Sequence, residues 1–146
     1  MTTTVSYQRI YEVSRNDAKW QELQQRIQRY HKECAEYKQK QRQAILRIVR
    51  FDMLEDLAMD RKVQCEGDSN RDKELLRCTG QDRESWFHAW NKCEDLCFDG
   101  MVQACIDVSN AQTMLEVVKD KMKVTTALQT SREQEIKAEL EQPKDA

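Results

Sequence analysis

Between Asn16 and Val63, apolar and aromatic residues recur at alternating three- and four-residue steps: Trp20, Leu23, Ile27, Tyr30, Cys34 and Tyr37, resuming at Ala44, Ile48 and Phe51. This is a heptad seam, the pattern of a helix that lays one stripe along another helix for much of its length. A seam specifies a partner surface and carries no chemistry of its own. It restricts the chain to helical folds before any other feature is read.

Composition agrees with the seam. The 146 residues include only three glycines and one proline, while about a third are charged, so the chain has few places to turn and many residues that favour helix. Few, long helices are expected, and no strands. Residues 1–13 read as an N-terminal arm, either a short helix or an extended segment. A first long helix is expected over about 16–63, capped by Ser14 or Asn16. The string from Cys65 to Asp72 is polar and turn-rich, Lys73–Cys78 has room for two helical turns, and Thr79-Gly80 stops them. These make a turn and short helix over 64–81. A second long helix, capped by Thr79 or Asp82, is expected over about 82–139, with a frayed tail at 140–146.

The second helix has its own seam: Met101, Ala104, Val108, Ala111, Leu115, Val118, Met122 and Thr125. Upstream, Trp86, Trp90, Cys93, Cys97 and Gly100 continue it with one phase slip, and a kink is expected near Gly100, where glycine weakens a helix. Small residues along this stripe predict a close approach of the opposing helix. Two seams joined by a polar turn predict a long antiparallel helical hairpin or coiled coil over 14–139, possible to complete into a bundle with a partner or second copy. Facing residue numbers should add up to about 145, bringing Ile27 to Val118 and Leu23 to Met122.

Charge is segregated. From Lys19 to Arg50 there are nine basic residues against three acidic ones, a local charge of +6 in a chain whose net charge is −2. The hairpin would set this block against Asp95, Asp99, Asp107, Glu116 and Asp120. Such blocks belong to solvated faces or complementary helix pairs, so neither nucleic acid nor a membrane surface is expected as partner. Met1–Val13 lacks the apolar core of a secretory signal, and no stretch approaches a transmembrane span. An intracellular, cytoplasmic setting is therefore expected, with the six cysteines reduced.

Candidate chemistry is sparse. Cys93 and Cys97 share a helix face, but Cys34, Cys65, Cys78 and Cys105 form no second short-spaced pair, and the histidines are His31 and His88. Zinc normally needs two such pairs, so the cysteines read as small buried hydrophobes. Glu84 and His88 lie four apart, yet no Glu-x-x-His spacing and no phosphate-cradling glycine loop occurs. No enzyme, cofactor or metal is expected.

The informative feature is a second apolar surface. Phe98, Val102 and Ile106 form a stripe outside the seam of the second helix, and Leu46, Val49, Met53 and Leu57 extend the apolar surface of the first. Trp86 and Trp90 should be core, against Leu54, Leu57 and Ala58, which leaves Phe87 pointing elsewhere. A helix apolar on more than one side needs more than one neighbour. Leu46, Met53, Phe87, Phe98, Val102 and Ile106 are therefore the candidate partner-binding residues. The function expected is a non-enzymatic scaffold, tether or adaptor subunit that docks other helical proteins or a second copy. The competing expectation is a compact bundle holding a small apolar ligand or a metal between its helices.

Overall fold

The computed structural model of the protein describes residues 4–64, 77, 79–80 and 82–142. These residues hold three helices, α1 (Tyr7–Arg15), α2 (Ala18–Gln64) and α3 (Arg83–Glu141), and no strand. The chain is all-helical, as its scarcity of glycine and proline requires. The polar turn expected at Cys65–Asp72 lies outside the described residues, as do Lys73–Cys78 apart from Arg77, and Pro143.

The N-terminal arm is helical. Ser6 caps α1 by accepting from the Arg9 amide at 3.3 Å, and Asn16 closes it, its amide donating to the Ser14 and Val13 carbonyls. The cap of α2 is Asp17, one residue beyond the two expected. Its Oδ2 accepts the Trp20 amide at 2.9 Å. Ser14 instead sits buried in the last turn of α1, its Oγ without a hydrogen-bond partner. At the start of α3, Asp82 is the cap: its Oδ1 accepts the Ser85 amide at 2.7 Å, and that bond holds its carboxyl below the ordinary carboxylate range. Just before it, Gly80 adopts φ +71°, a left-handed conformation that glycine takes at little cost. Gly100, where a kink was expected, lies within the 59 residues of α3 and does not end the helix.

The chain divides into two compact units. One combines Met1–Lys38 with Gln112–Ala146, and the other is Gln39–Ala111. Both α2 and α3 contribute to each.

In the first unit Cys34, Leu115 and Val118 form a buried cluster, with Tyr30, Tyr37 and Met122 packed against it. The α3 stripe continues beyond Thr125 through Gln129 to Ile136, all buried. The two buried polar side chains of this stripe are satisfied. Thr125 Oγ1 donates back to the Lys121 carbonyl at 2.8 Å, and Gln129 Nε2 donates across to Gln24 Oε1 at 2.8 Å. Trp20 Nε1 donates to Glu133 Oε1 at 2.9 Å. Arg132 forks onto Asp17, Nε to Oδ2 at 2.9 Å and Nη2 to Oδ1 at 2.8 Å, which pulls the Asp17 carboxyl down to about 2. Along these contacts residue numbers rise on α2 as they fall on α3, so the helices run antiparallel.

The second unit has a different interior. Its buried apolar residues are Ala44, Ala58, Cys97, Ala104 and Ala111, all small. Ile48, Phe51, Met101 and Val108 complete the stripe half-buried, and the Cζ end of the Phe51 ring lies over Gly100. Trp86 and Trp90 pack edge to face with centroids 5.6 Å apart, and Trp86 Nε1 donates to the Arg61 carbonyl at 3.3 Å. Leu54 and Leu57, expected to pack on the tryptophans, are exposed; Ala58 is the buried member of that group.

Register departs from expectation. Facing numbers add up to 151 at Phe51–Gly100, 153 at Gln24–Gln129 and 154 at Arg47–Asp107, not about 145. The offset is close to one heptad. Val118 accordingly packs with Cys34 and not opposite Ile27. The seams repeat every seven residues, so a slide by one repeat keeps apolar residues facing each other, and exposed ion pairs worth a few tenths of a kcal/mol discriminate weakly between the alternatives. Of the acids expected to meet the basic block, Asp107 does so, with Arg47 at 2.8 Å, and this bond together with one donated by Gln103 Nε2 at 3.1 Å holds its carboxyl low.

Candidate docking surface

In the second unit the ordinary distribution of side chains is inverted. Among the described residues, twelve of the eighteen exposed large apolar side chains fall within Gln39–Ala111, whereas the residues buried there are alanines and a cysteine. Alanine brings two helix backbones close together but removes little apolar surface from water. The larger side chains therefore have to be covered from outside or remain wet.

On α2 the seam residues Ala44, Ile48 and Phe51 fix one side of the helix. At about 100° per residue, Leu46, Val49 and Met53 lie about 130 to 175° from it, and all three are exposed, Met53 at 66%. On α3 the seam runs through Cys97, Met101 and Ala104. Phe98, Val102 and Ile106, one turn apart, lie about 100 to 180° away, and they are likewise exposed, Phe98 at 59%. Each helix thus carries an apolar stripe on a side turned from its partner. Phe87 is exposed as well, but Lys62 Nζ lies 5.3 Å above its ring, a cation–π contact that engages part of its surface. Lys62 also binds Glu94, so this corner of the unit is already tied down within the chain. Of the six candidate partner-binding residues, Leu46 and Met53 share one stripe, Phe98, Val102 and Ile106 share another, and Phe87 belongs to neither.

Sequence reasoning passed over Ile45, Met59 and Leu96, which are also exposed. Their helical angles fall beside the stripes, a relation visible only once the side facing the partner helix is fixed.

The thiols of Cys34, Cys93, Cys97 and Cys105 are free. Cys97 is buried, and its thiol titrates above the ordinary range because burial disfavours the thiolate, with Cys93 and Glu55 adding to the effect. Glu55 Oε2 is buried beside this face of the unit without a hydrogen-bond partner. Among the described residues, no group of three or more His, Cys, Asp or Glu side chains is arranged to hold a metal ion. No helix among them is long and apolar enough to cross a membrane. Compared with known proteins, the chain matches no family model, no curated protein and no solved structure.

Proposed function

We propose that this protein is a non-enzymatic scaffold, tether or adaptor subunit of a multi-protein complex, built as an antiparallel helical hairpin and acting by helix–helix docking. The single observation that carries the reading is the inversion in the Gln39–Ala111 unit, where small residues are buried and the large apolar ones stand outside at helical spacing. A groove-binding helix recognises such stripes through anchors spaced three and four residues apart. Burying a large apolar side chain fully is worth about 1.5 to 3 kcal/mol. Phe98, Val102 and Ile106 together therefore offer a helical partner enough energy to offset part of the entropy lost on association.

The test is a comparison of the full chain with the Phe98→Asp/Ile106→Asp variant in capture of helical partners from the native cell, identified by mass spectrometry. The variant should lose partners held by the wild-type chain, because a carboxylate resists transfer into a dry interface. Its circular dichroism should stay helical, since the seam through Leu115, Val118 and Met122 is untouched. Equal capture by the two proteins would remove the basis of the reading.

A further inference from the structure

The α2 stripe has an occupant that its own charges specify. Arg42, Leu46, Val49, Met53, Asp56 and Asp60 are all exposed, and their four-three-four-three-four spacing is a heptad seam on the side of α2 away from α3. Its centre is apolar. Its N-terminal end is basic and its C-terminal end is acidic. We propose that this stripe pairs antiparallel with the same stripe of a second copy of the chain, about a twofold axis near residue 51, leaving Phe98, Val102 and Ile106 for a different helical partner.

The pattern selects this arrangement over its alternatives. In an antiparallel pair centred there, Val49 meets Met53 of the second copy, Leu46 meets Asp56, and Arg42 meets Asp60 with Asp56 one turn away. The twofold axis repeats each contact at the other end, as an isologous interface requires. A parallel pair would stack Arg42 on Arg42, Asp56 on Asp56 and Asp60 on Asp60, and like charges face to face oppose association. Antiparallel coiled coils bring the two alternating seam positions of one helix against those of the other, and the 42–60 and 49–53 layers obey that rule. The α3 stripe lacks the same polarity: Phe98, Val102 and Ile106 are uncharged, so nothing in it encodes self-recognition.

This assignment rests on the docking reading, in that it takes the outer stripes to be interfaces, but it is tested separately. Sedimentation equilibrium on the full chain, at concentrations up to about 100 µM and low salt, should show a monomer–dimer equilibrium. Arg42→Asp and Asp60→Arg should each weaken the dimer by about tenfold or more, the former by opposing Asp56 and Asp60, the latter by opposing Arg42. The double variant Arg42→Asp/Asp60→Arg restores opposite charges across the pair and should recover the wild-type dissociation constant to within about fivefold. Circular dichroism confirms that each variant remains helical.

Three outcomes overturn the proposal: a wild-type chain that stays monomeric over that range, a dimer indifferent to both single reversals, or a dimer weakened by both and not rescued by the swap. The docking reading survives any of these if Phe98→Asp/Ile106→Asp still loses its helical partners. It falls only if that variant captures them as the wild type does.

Discussion

The contact between Phe51 and Gly100 makes a sharp test of how closely α2 and α3 approach. Placing alanine at an interior helical glycine normally stabilises by about 1 kcal/mol. Here the added Cβ would lie 2.6 Å from Phe51 Cζ and 2.7 and 2.8 Å from the two Cε atoms, where carbon atoms prefer separations of about 3.5–4.0 Å. The near-equal distances place the added Cβ over the face of the ring, towards its Cζ end, and Cζ lies on the χ2 axis, so turning the ring about that axis does not move it. Relief requires a change of χ1 or a separation of the helices, and overpacking of this kind costs about 1–3 kcal/mol. Gly100→Ala should therefore lower stability by about 1 kcal/mol despite its better helix propensity. Phe51→Leu shortens the side chain and removes the obstacle, at its own cost of roughly 1 kcal/mol. In that background Gly100→Ala should become stabilising, giving a coupling of about 2 kcal/mol between the two sites. Urea denaturation of the four proteins, followed by circular dichroism, measures every corner of the cycle. If Gly100→Ala stabilises both backgrounds equally, the ring does not fill the space over Gly100 and the close approach inferred in this unit is wrong.

Asp17 both caps α2 and receives Arg132, and its carboxyl titrates at about 2 against an ordinary 3.8. A depressed folded value stabilises above the unfolded one, so this contribution is complete above about pH 5 and drains away as pH falls through 3.8 towards 2. Asp17→Ala should lose about 0.5–2 kcal/mol from the cap alone at pH 7. At pH 2 the gap between the two proteins should narrow, and a gap unchanged between the two pH values would refute the linkage. Cysteine reactivity offers another check. Cys105 is exposed whereas Cys97 is buried with its thiol pushed up, so iodoacetamide at pH 8 should label Cys105 at least about tenfold faster. Peptide mass spectrometry of the native protein reads both rates, and equal labelling would show that the Cys97 face opens readily.

Both seams were legible because burial along a helix leaves a three-four spacing that few other structures produce. Every seam residue expected from Trp20 to Phe51 and from Met101 to Thr125 is buried or half-buried. The reading stopped at Thr125 because Gln129 interrupts the apolar pattern, and Ile136, among the most buried side chains, was lost behind it. At seam positions, Thr125 and Gln129 carry polar groups that satisfy their own hydrogen bonds, which hydropathy does not register. The start of α2 was ambiguous for a different reason. Ser14, Asn16 and Asp17 are equally good caps in isolation, and the choice depends on Arg132, far along the chain, which holds Asp17. The outer stripes were visible as apolar spacing, but their exposure depends on which side of each helix the partner takes. The inversion that makes the second unit a candidate interface became apparent only when the buried residues proved to be alanines.

The Gln24–Gln129 bond bears on a problem that two repetitive seams create for each other. A pair of heptad repeats resembles a zipper that can mesh one tooth early or late with nearly the same fit. Sliding α3 by seven residues would bring Gln24 opposite Met122 or Ile136 and leave two amides in the interior without each other. An unsatisfied buried polar group costs about 1–3 kcal/mol, so a mismeshed chain would be penalised at both glutamines while its apolar layers looked almost unchanged. This uncharged polar layer thus acts as a key that favours a single position. A chain that folds by sliding its helices past one another would come to rest where these two amides meet.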